Sequence, residues 1–292
     1  MSYVLSRSNS ILSRFLLALA VLATVALPAA AQGGRAGWTR GERRAPQRVE
    51  VFHSTQSVHL PTAETMGKGE FEFEIWHRFV LPVSSGLNGL WGLDGPALIR
   101  FALAYGVSER LVLSLGRSNN RDNVDFKFRY KALEIPNENL PTVVGLQAGV
   151  GWNTDVFGRS DTDGRNFQYY AQLIVNSGLS DRLAVGVVPS FLTNIDIDFP
   201  EAKSALGLGL YGHYYATPLL AFIAEAYIAA PNPSAPHNIG TVGIQLETGG
   251  HFFKLFVTNS SALNSSQFLG GALTQFTADE LMLGFNITRV LR

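Results

Sequence analysis

The chain has 292 residues with 23 basic and 23 acidic side chains, so its formal net charge is zero. This balance gives no general electrostatic case for binding nucleic acid, and none is predicted as a partner. The absence of cysteine excludes disulfides, thiolate metal sites and cysteine nucleophiles.

The first 31 residues have the pattern of a secretory signal peptide. Arg7 and Arg14 precede an apolar run, residues 15–31, that ends in small residues suited to cleavage. We therefore predict that residues 1–31 direct export and are removed. An uncleaved membrane anchor is the alternative, although the run barely reaches the length that a spanning helix needs.

Residues 32–69 are predicted to form a basic, largely irregular lead-in on the periplasmic side. Its first part contains glycine, proline and five arginines, which are Arg35, Arg40, Arg43, Arg44 and Arg48. Such a composition buries too little apolar surface to fold and stays solvated. A short strand within "VEVFHSTQSVHL" has no identifiable partner.

From residue 70 to residue 292 the side chains alternate between apolar and polar. In "DNVDFKFRYKA", Phe126 and Phe128 alternate with Lys127 and Arg129. Because successive strand residues point to opposite faces, this segment has one apolar and one charged face. About twelve runs of roughly nine to twelve residues follow this pattern, a length that crosses a bilayer at a tilt.

The connections between these runs tend to alternate in length. Four are hairpin turns ("GVSER", "SGLSD", "ATP" and "ETGG"). Longer connections are predicted at 80–96, 153–165, 192–202, 230–236 and 260–278. "SNNR" is short and "EIPNENLP" is long where the opposite is expected. Short turns at one end and long loops at the other are typical of outer-membrane barrels.

Alternation alone does not separate a membrane barrel from a soluble sandwich, because both show it. In a sandwich Phe126 faces a dry core and Lys127 faces water, whereas in a barrel Phe126 faces lipid and Lys127 faces the lumen. The export signal, the strand lengths and the loop pattern favour the barrel. We predict an all-β fold, a closed antiparallel transmembrane β-barrel of about 12 strands over 70–292, with short periplasmic turns. A soluble periplasmic β-protein is the alternative.

Four segments resemble an uncharacterised family of bacterial outer-membrane β-barrel proteins, domain of unknown function 5777. They are "KGEFEFEIWHRF", "GLDGPALIRFALAYGVSERLVLSLGRS", "ETGGHFFKLFVTNS" and "LMLGFNITRVL". The resemblance covers residues 67 to 292 and implies a barrel in the bacterial outer membrane, surrounded by its lipid. It brings no activity and no catalytic residues.

The end of the chain departs from many outer-membrane barrels, which finish on an aromatic residue read by the assembly machinery. This chain ends in Val290, Leu291 and Arg292. Phe285 and Ile287 keep the alternation that faces lipid. We therefore expect the outer-membrane assembly machinery to remain a partner.

Nine charged side chains share the face predicted to point into the lumen. They are Glu72, Glu74, Arg78, Arg100, Asp125, Lys127, Arg129, Lys131 and Glu225. A barrel of about twelve strands lies between filled small barrels and open porins. Inside it, charges must be paired or wetted. The nine groups therefore either plug the interior or line a narrow aqueous path, and inward-facing Tyr170, Phe252 and Phe256 favour a partly filled lumen.

Two functions remain open at this stage. The row Lys127, Arg129 and Lys131 motivates a narrow channel or binding barrel for small polar or anionic solutes. The alternative is a structural or interaction barrel with a filled lumen, whose outer loops around 86–95 and 260–278 bind a partner. An outer-membrane hydrolase needs a nucleophile–base pair on the rim. The sequence shows only unassigned serines and histidines, so no enzyme and no catalytic residue is predicted.

No cofactor or metal is predicted. "GLGLYG", residues 207–212, matches G-x-G-x-x-G, but another strand follows it where a phosphate site needs a helix. Gly207 and Gly209 are expected to leave space on the lumen face. Asp155, Asp161 and Asp163 share a long loop without EF-hand spacing, so a solvated acidic loop is expected. The six histidines lack metal-ligand spacing, and His77 is predicted as a membrane-interface residue.

Overall fold

The computed structural model describes residues 49–199 and 204–291, in which twelve antiparallel strands form a closed barrel. Each strand pairs with its neighbours in the chain, and the first pairs with the last. The strands are β1 (Phe71–Pro82), β2 (Ala97–Ser108), β3 (Leu111–Ser118), β4 (Val124–Ile135), β5 (Thr142–Trp152), β6 (Phe167–Ser180), β7 (Leu183–Leu192), β8 (Ala205–Tyr215), β9 (Leu220–Ile228), β10 (Ile239–Thr248), β11 (His251–Thr258) and β12 (Met282–Leu291). The predicted fold class is confirmed.

Some of the sequence predictions concern residues outside the two ranges that the structure describes. The predicted signal peptide, the arginine-rich part of the lead-in up to residue 48, residues 200–203 and Arg292 lie outside the described residues. Among the described residues, no helix has the length and apolar character needed to cross a membrane.

The wall has an apolar outer face and a polar inner face. On β4, Phe126, Phe128 and Tyr130 are about 40% exposed outside the barrel, whereas Lys127 and Arg129 are at most 6% exposed inside it. Closure pairs every strand on both sides, which removes the unpaired backbone edge that lipid does not tolerate. Large apolar side chains outside and charges inside are the arrangement of a membrane barrel, not of a sandwich.

The two ends of the barrel differ. At one end, here called the turn end, four connections have two to four residues (109–110, 181–182, 216–219 and 249–250), and a fifth, 136–141, is longer, as the sequence indicates. The first residue of β1, Phe71, and the last residue of β12, Leu291, also lie at the turn end. At the other end, the loop end, most connections are longer and include 3-10 segments at Val83–Gly92 and Gly164–Asn166.

Two segments of the chain enter the lumen. The inner hairpin, residues 49–66, precedes β1 at the turn end and is buried without interruption from Gln56 to Met66. The inner loop, residues 259–272, follows β11 at the loop end and carries the short helix α1 (Ser265–Phe268). Together they occupy the interior that the strands enclose.

The inner hairpin differs from the periplasmic lead-in that the sequence predicts for residues 32–69. Residues 49–66 lie inside the barrel, although most of them are irregular as expected. A turn closes the hairpin, with the Ser57 amide donating to the Leu60 carbonyl and an isolated bridge between Gln56 and Pro61. A buried irregular backbone needs hydrogen-bond partners outside itself. The charged inner face of the barrel supplies them.

Candidate functional site in the barrel lumen

All nine charged residues predicted on the lumen face are buried inside the barrel. Seven of them separate into two groups by their partners, and Glu72 and Arg78 belong to neither group. The wall network pairs with other strands and consists of Glu74, Arg100, Asp125 and Lys127. The hairpin-binding group pairs with the inner hairpin and consists of Arg129, Lys131, Glu225 and an unpredicted member, Lys254.

Arg100 is the centre of the wall network. Its Nε and Nη2 atoms donate to the two Asp125 oxygens at 2.7 Å, and its Nη1 atom donates to Glu74 at 2.8 Å. Lys127 approaches the other Glu74 oxygen at 3.6 Å. Gly116 makes room for the guanidinium, because a Cβ there would lie 2.3 Å from an Arg100 nitrogen. These strands satisfy each other's charges without the hairpin.

Trp76 packs beside this network as a buried aromatic platform. The Arg100 and Lys127 cations lie 5.0 and 5.7 Å from its ring centroid. Arg78 lies 4.6 Å from the Phe256 ring and donates to the Asn286 side chain at 2.8 Å. Cations over aromatic faces are stabilised where water is excluded. The inward aromatic residues therefore help to hold the buried cations.

Glu225 on β9 binds the turn of the inner hairpin. Its carboxylate accepts hydrogen bonds from the amides of Val58, His59 and Leu60, and from the His59 ring nitrogen at 3.1 Å. Converging backbone amides form a concave donor site that suits an anion. A carboxylate from the wall thus holds the part of the hairpin that reaches farthest into the barrel.

Two cations of the predicted row bind the hairpin as well. Arg129 donates to the Thr55 carbonyl and, at 3.2 Å, to the Gln56 side chain. Lys131 donates to Glu64 of the hairpin at 3.0 Å. Two of the three cations in the predicted row therefore bind a segment of the protein itself. That the row contacts an anionic solute remains a prediction.

Lys254 on β11 completes the hairpin-binding group and is missing from the sequence prediction. Its ammonium donates to the carbonyls of Gln56 and Ser57 and to the Ser54 hydroxyl. The signal for it was present, because the same alternation that turns Phe252 and Phe256 inward turns Lys254 inward. All three are buried, as the alternation requires.

Glu72 belongs to neither of the two groups. One of its carboxylate oxygens accepts from the Thr55 hydroxyl at 2.8 Å, while the other is buried and has no partner among the described residues. A cavity of about 10 Å³ beside it is also lined by Ser114, whose hydroxyl likewise lacks a partner. This space matches a single water molecule, which would satisfy a buried polar atom.

The tip of the inner hairpin meets the inner loop inside the barrel. The His59 ring stacks on the Phe268 ring of α1 with centroids 4.7 Å apart and planes 12° apart. Leu60 packs against Gly209 of β8, where a Cβ would lie 2.7 Å from the leucine methyl carbon. The "GLGLYG" motif is therefore mid-strand, and its glycines leave space on the lumen face as predicted.

The inner loop is tied to the wall near the loop end. The Asn264 side chain donates to Asn123 at 2.7 Å, and the Tyr227 hydroxyl donates to the Leu269 carbonyl at 3.3 Å. Most of residues 259–272 are buried, so much of the predicted partner-binding loop 260–278 lies in the lumen. Its polar groups are satisfied by the wall, which explains why it folds inward. Residues 273–280 remain at the surface.

One serine–histidine pair lies within the lumen. The Ser57 hydroxyl is 2.9 Å from His213 Nε2, a distance suited to a nucleophile and its base. Both residues are fully buried, and within the described part of the chain no hydrogen-bond partner of His213 Nδ1 orients the ring. A hydrolase site on the rim would need its pair there, and this pair lies inside the lumen.

The aspartates considered for metal binding lie on the surface between β5 and β6. Asp163 accepts hydrogen bonds from the backbone and side chain of Arg165, whose guanidinium holds the pKa of that carboxyl below its usual range. Among the described residues, no group of three or more acidic, histidine or cysteine side chains is placed to hold a metal ion. His77 faces outward and stacks on Phe285.

Cavities remain at both ends of the filled lumen. The loop-end cavity has a volume of about 330 Å³, and the turn-end cavity about 890 Å³. Many amide side chains line the first, including Asn120, Asn153, Gln168, Asn232 and Asn259. Six glutamates line the second: Glu50, Glu64, Glu70, Glu72, Glu109 and Glu247. The inner hairpin and inner loop meet between these ends.

Comparisons with known proteins give one family match. A family model described as a membrane bound beta barrel domain, domain of unknown function 5777, matches residues 52–291. The matched region begins within the inner hairpin. A comparison with curated proteins gives no match.

Several solved structures align with this chain at low sequence identity and low TM-score. The NanC porin is 9% identical with a TM-score of 0.44, and the match covers 76% of this chain and 98% of the porin. An outer membrane channel from Pseudomonas putida F1 is 13% identical with a TM-score of 0.42, over 78% of this chain and 98% of the channel. An active-site mutant of outer membrane phospholipase A from Escherichia coli is 12% identical with a TM-score of 0.42, over 78% and 92%. Likeness at this level does not extend to function.

Proposed function

Because the chain belongs to the family of membrane bound beta barrel domains, domain of unknown function 5777, we propose that it is an outer-membrane barrel closed by its own inner hairpin and inner loop. Its role is structural or one of interaction, and its lumen is not a standing path for solutes. The proposal concerns the filled state of the lumen, because the family has no assigned activity.

The location in the bacterial outer membrane is inferred from the barrel and the export signal. Single-chain barrels of this kind have an even strand number, an apolar outer belt and short periplasmic turns. The twelve-stranded barrel has these features, so the turn end is assigned to the periplasm. The lipid of that membrane and its assembly machinery are the partners that this location implies.

The burial of the inner face is the observation that supports closure. Glu225, Arg129 and Lys254 are each at most 5% exposed and bind the inner hairpin directly. In a standing aqueous path these side chains would be in contact with water. Buried charges need such partners to offset their lost hydration, so the hairpin and the inner face are complementary.

A narrow gated channel, or a barrel that binds small polar solutes, is the second candidate. It is favoured by the polar character of the hairpin attachment, because water can replace hydrogen bonds from Lys254 and Glu225 if the hairpin leaves. The amide-lined cavity at the loop end would then admit a small polar solute from outside. In this candidate the inner hairpin is the gate.

The two candidates can be distinguished by measuring the conductance of a variant in which a reversible disulfide locks the inner hairpin to the wall. The natural chain has no cysteine, so Ala63→Cys with Gly145→Cys introduces one defined pair between hairpin and wall. A Cβ on Gly145 would lie 3.1 Å from the Ala63 Cβ, which is slightly closer than a relaxed disulfide requires. The two backbones need to move apart by only a few tenths of an ångström.

Closure predicts no steady conductance for the natural chain in planar bilayers, and no difference between the oxidised and reduced double variant. Steady conductance in the natural chain that persists in the oxidised variant would overturn it, because current would then pass beside a locked hairpin. Openings that vanish on oxidation and return on reduction would instead support the gated channel. Each single cysteine variant is the matched control for the effect of the thiols.

A further inference from the structure

The connection between β1 and β2 has an unusual surface for a loop. Its first part, Val83–Gly92, consists of 3-10 turns interrupted by a kink and contains no charged residue. Leu87 is 76% exposed, and Leu90, Trp91 and Leu93 are each more than 40% exposed. Contiguous exposed apolar side chains on a surface loop indicate a contact with a partner or a membrane. Residues 83–95 are called the outward loop below.

The outward loop lies against the outer wall. Leu81 continues the outward-facing set of β1, and three glycines of the loop pack on it. A Cβ on Gly89 would lie 2.6 Å from a Leu81 methyl carbon, and one on Gly92 or Gly95 would lie within 2.5 Å of other Leu81 atoms. The outward loop contributes no lining residue to the loop-end cavity. The chain thus turns away from the lumen.

The backbone holds the apolar side chains in place. Leu90 and Trp91 both have positive φ, 47° and 53°, which is rare for two consecutive residues other than glycine. Hydrogen bonds from the Leu93 amide to the Leu90 carbonyl and from the Asp94 amide to the Gly89 carbonyl close the turn. The Ser84 hydroxyl ties the loop to the Asp279 carbonyl. Backbone strain of this kind persists only where the surrounding structure fixes it, and it is more frequent at functional sites than elsewhere.

We propose that the outward loop binds the outer leaflet of the membrane, with Leu87, Leu90, Trp91 and Leu93 seated at the lipid–water interface. Lipid is the occupant that the position of the loop favours. The loop packs on Leu81, the last outward-facing residue of β1, and so extends the apolar belt that faces lipid. Tryptophan is enriched at this depth, and the segment Val83–Gly92 has no charge that would lose its hydration there, while the exposed Asp94 after Leu93 stays on the water side. The proposal rests on the membrane location and is independent of whether the lumen is closed.

Tryptophan quenching by brominated lipid tests the proposal. The protein is reconstituted into phosphatidylcholine vesicles whose acyl chains carry bromine either near the head group or near the chain terminus. The Trp91 signal is the difference between the natural chain and Trp91→Phe. Trp152 is the matched control: it lies at the loop end of β5, stacks on Phe167 and is isolated by Trp152→Phe.

We expect the Trp91 signal to be quenched by shallow bromine about as strongly as the Trp152 signal, and less by deep bromine. Leu87→Asn, Leu90→Asn and Leu93→Asn together should reduce shallow quenching of Trp91 by about twofold, because the apolar contact with the interface is lost. Asparagine tolerates the positive φ at position 90, so the loop keeps its backbone. The heat-dependent shift of the folded barrel on gels checks that each variant folds.

A Trp91 signal that is untouched by brominated lipid and is quenched by aqueous iodide would overturn the proposal. The outward loop would then face water and serve a protein partner or a second copy. Shallow quenching that is unchanged in the triple asparagine variant would also count against it, since these leucines would not anchor the loop.

Discussion

The wall network and the hairpin-binding group are both clusters of buried charge in one lumen, yet they depend on different parts of the chain. Arg100 on β2 binds Glu74 on the neighbouring strand β1 and Asp125 on β4, which lies two strands away. Glu225 and Lys254 find their partners in the backbone of the inner hairpin. Removing the hairpin would leave the first cluster paired and the second unpaired. The wall network therefore stabilises the barrel, whereas the hairpin-binding group stabilises its closure.

The largest expected effect is on the wall network. Arg100→Met leaves Glu74 and Asp125 buried without their shared partner, which should lower the free energy of unfolding by about 3–5 kcal/mol. Urea titration of the folded barrel in detergent micelles measures this loss. A stability within about 1 kcal/mol of the natural chain would mean that water pairs these carboxylates.

The position of the hairpin in the same variant sharpens the comparison. A cysteine introduced by Ala63→Cys is buried in the lumen and should resist a maleimide reagent while the hairpin stays in place. We expect Arg100→Met to leave this protection unchanged in the fraction that remains folded. Labelling at native conditions would contradict the separation of the two clusters.

A matched pair of lysines tests the second cluster. Lys254→Met removes the donor to the Gln56 and Ser57 carbonyls and should cost about 1–3 kcal/mol. It should also expose Ala63→Cys to labelling. Lys127→Met makes the same change in the wall network, where the lysine pairs with Glu74, so it should leave the cysteine protected. Equal labelling in both variants would contradict the assignment.

A smaller effect is expected where the hairpin packs on the wall. Gly209→Ala places a methyl group against Leu60 and should cost about 1–2 kcal/mol through overpacking. Leu60→Val in the same chain should recover part of this loss, because it removes the crowding. Urea titration of the single and double variants measures both. Additive losses would show that the two residues do not press on each other.

The smallest effect concerns the contact between the two inserted segments. His59→Leu and Phe268→Leu both remove the ring stacking, and their double-mutant cycle should give a coupling energy of about 0.5–1 kcal/mol. Maleimide labelling of Ala63→Cys should rise only slightly in each. A coupling energy near zero would mean that the inner hairpin and inner loop fill the lumen independently.

Much of the barrel was predictable because period-two alternation is a local property. Phe126 and Lys127 are adjacent and point to opposite faces, and the same rule places Glu74, Arg100 and Glu225 inside. Lys254 follows the rule as well, although it was missed. The face to which a side chain points can therefore be predicted from the sequence of its own strand.

The inner hairpin was not predictable in this way. The short strand considered within residues 49–60 does not form, and the partners of the inner hairpin are far away in the chain, as Val58 and Glu225 show. The whole stretch before β1 is predicted to lie on the periplasmic side, largely from the arginine-rich composition of its first part. The change from charged residues to an uncharged run at 51–63 was the available signal.

The sequence alone determined the twelve strands and the face on which each side chain lies, because both follow from short-range backbone geometry and from the length that a membrane requires. Only the tertiary structure decided which charges pair and what fills the lumen. Those outcomes depend on closure and register, which bring Arg100 to Asp125 and Glu225 to the tip of the hairpin. A buried charge is stabilised by the oppositely charged or polar group that lies nearest to it in space. In a closed barrel that group can be far away in the sequence, so neighbouring residues do not reveal it.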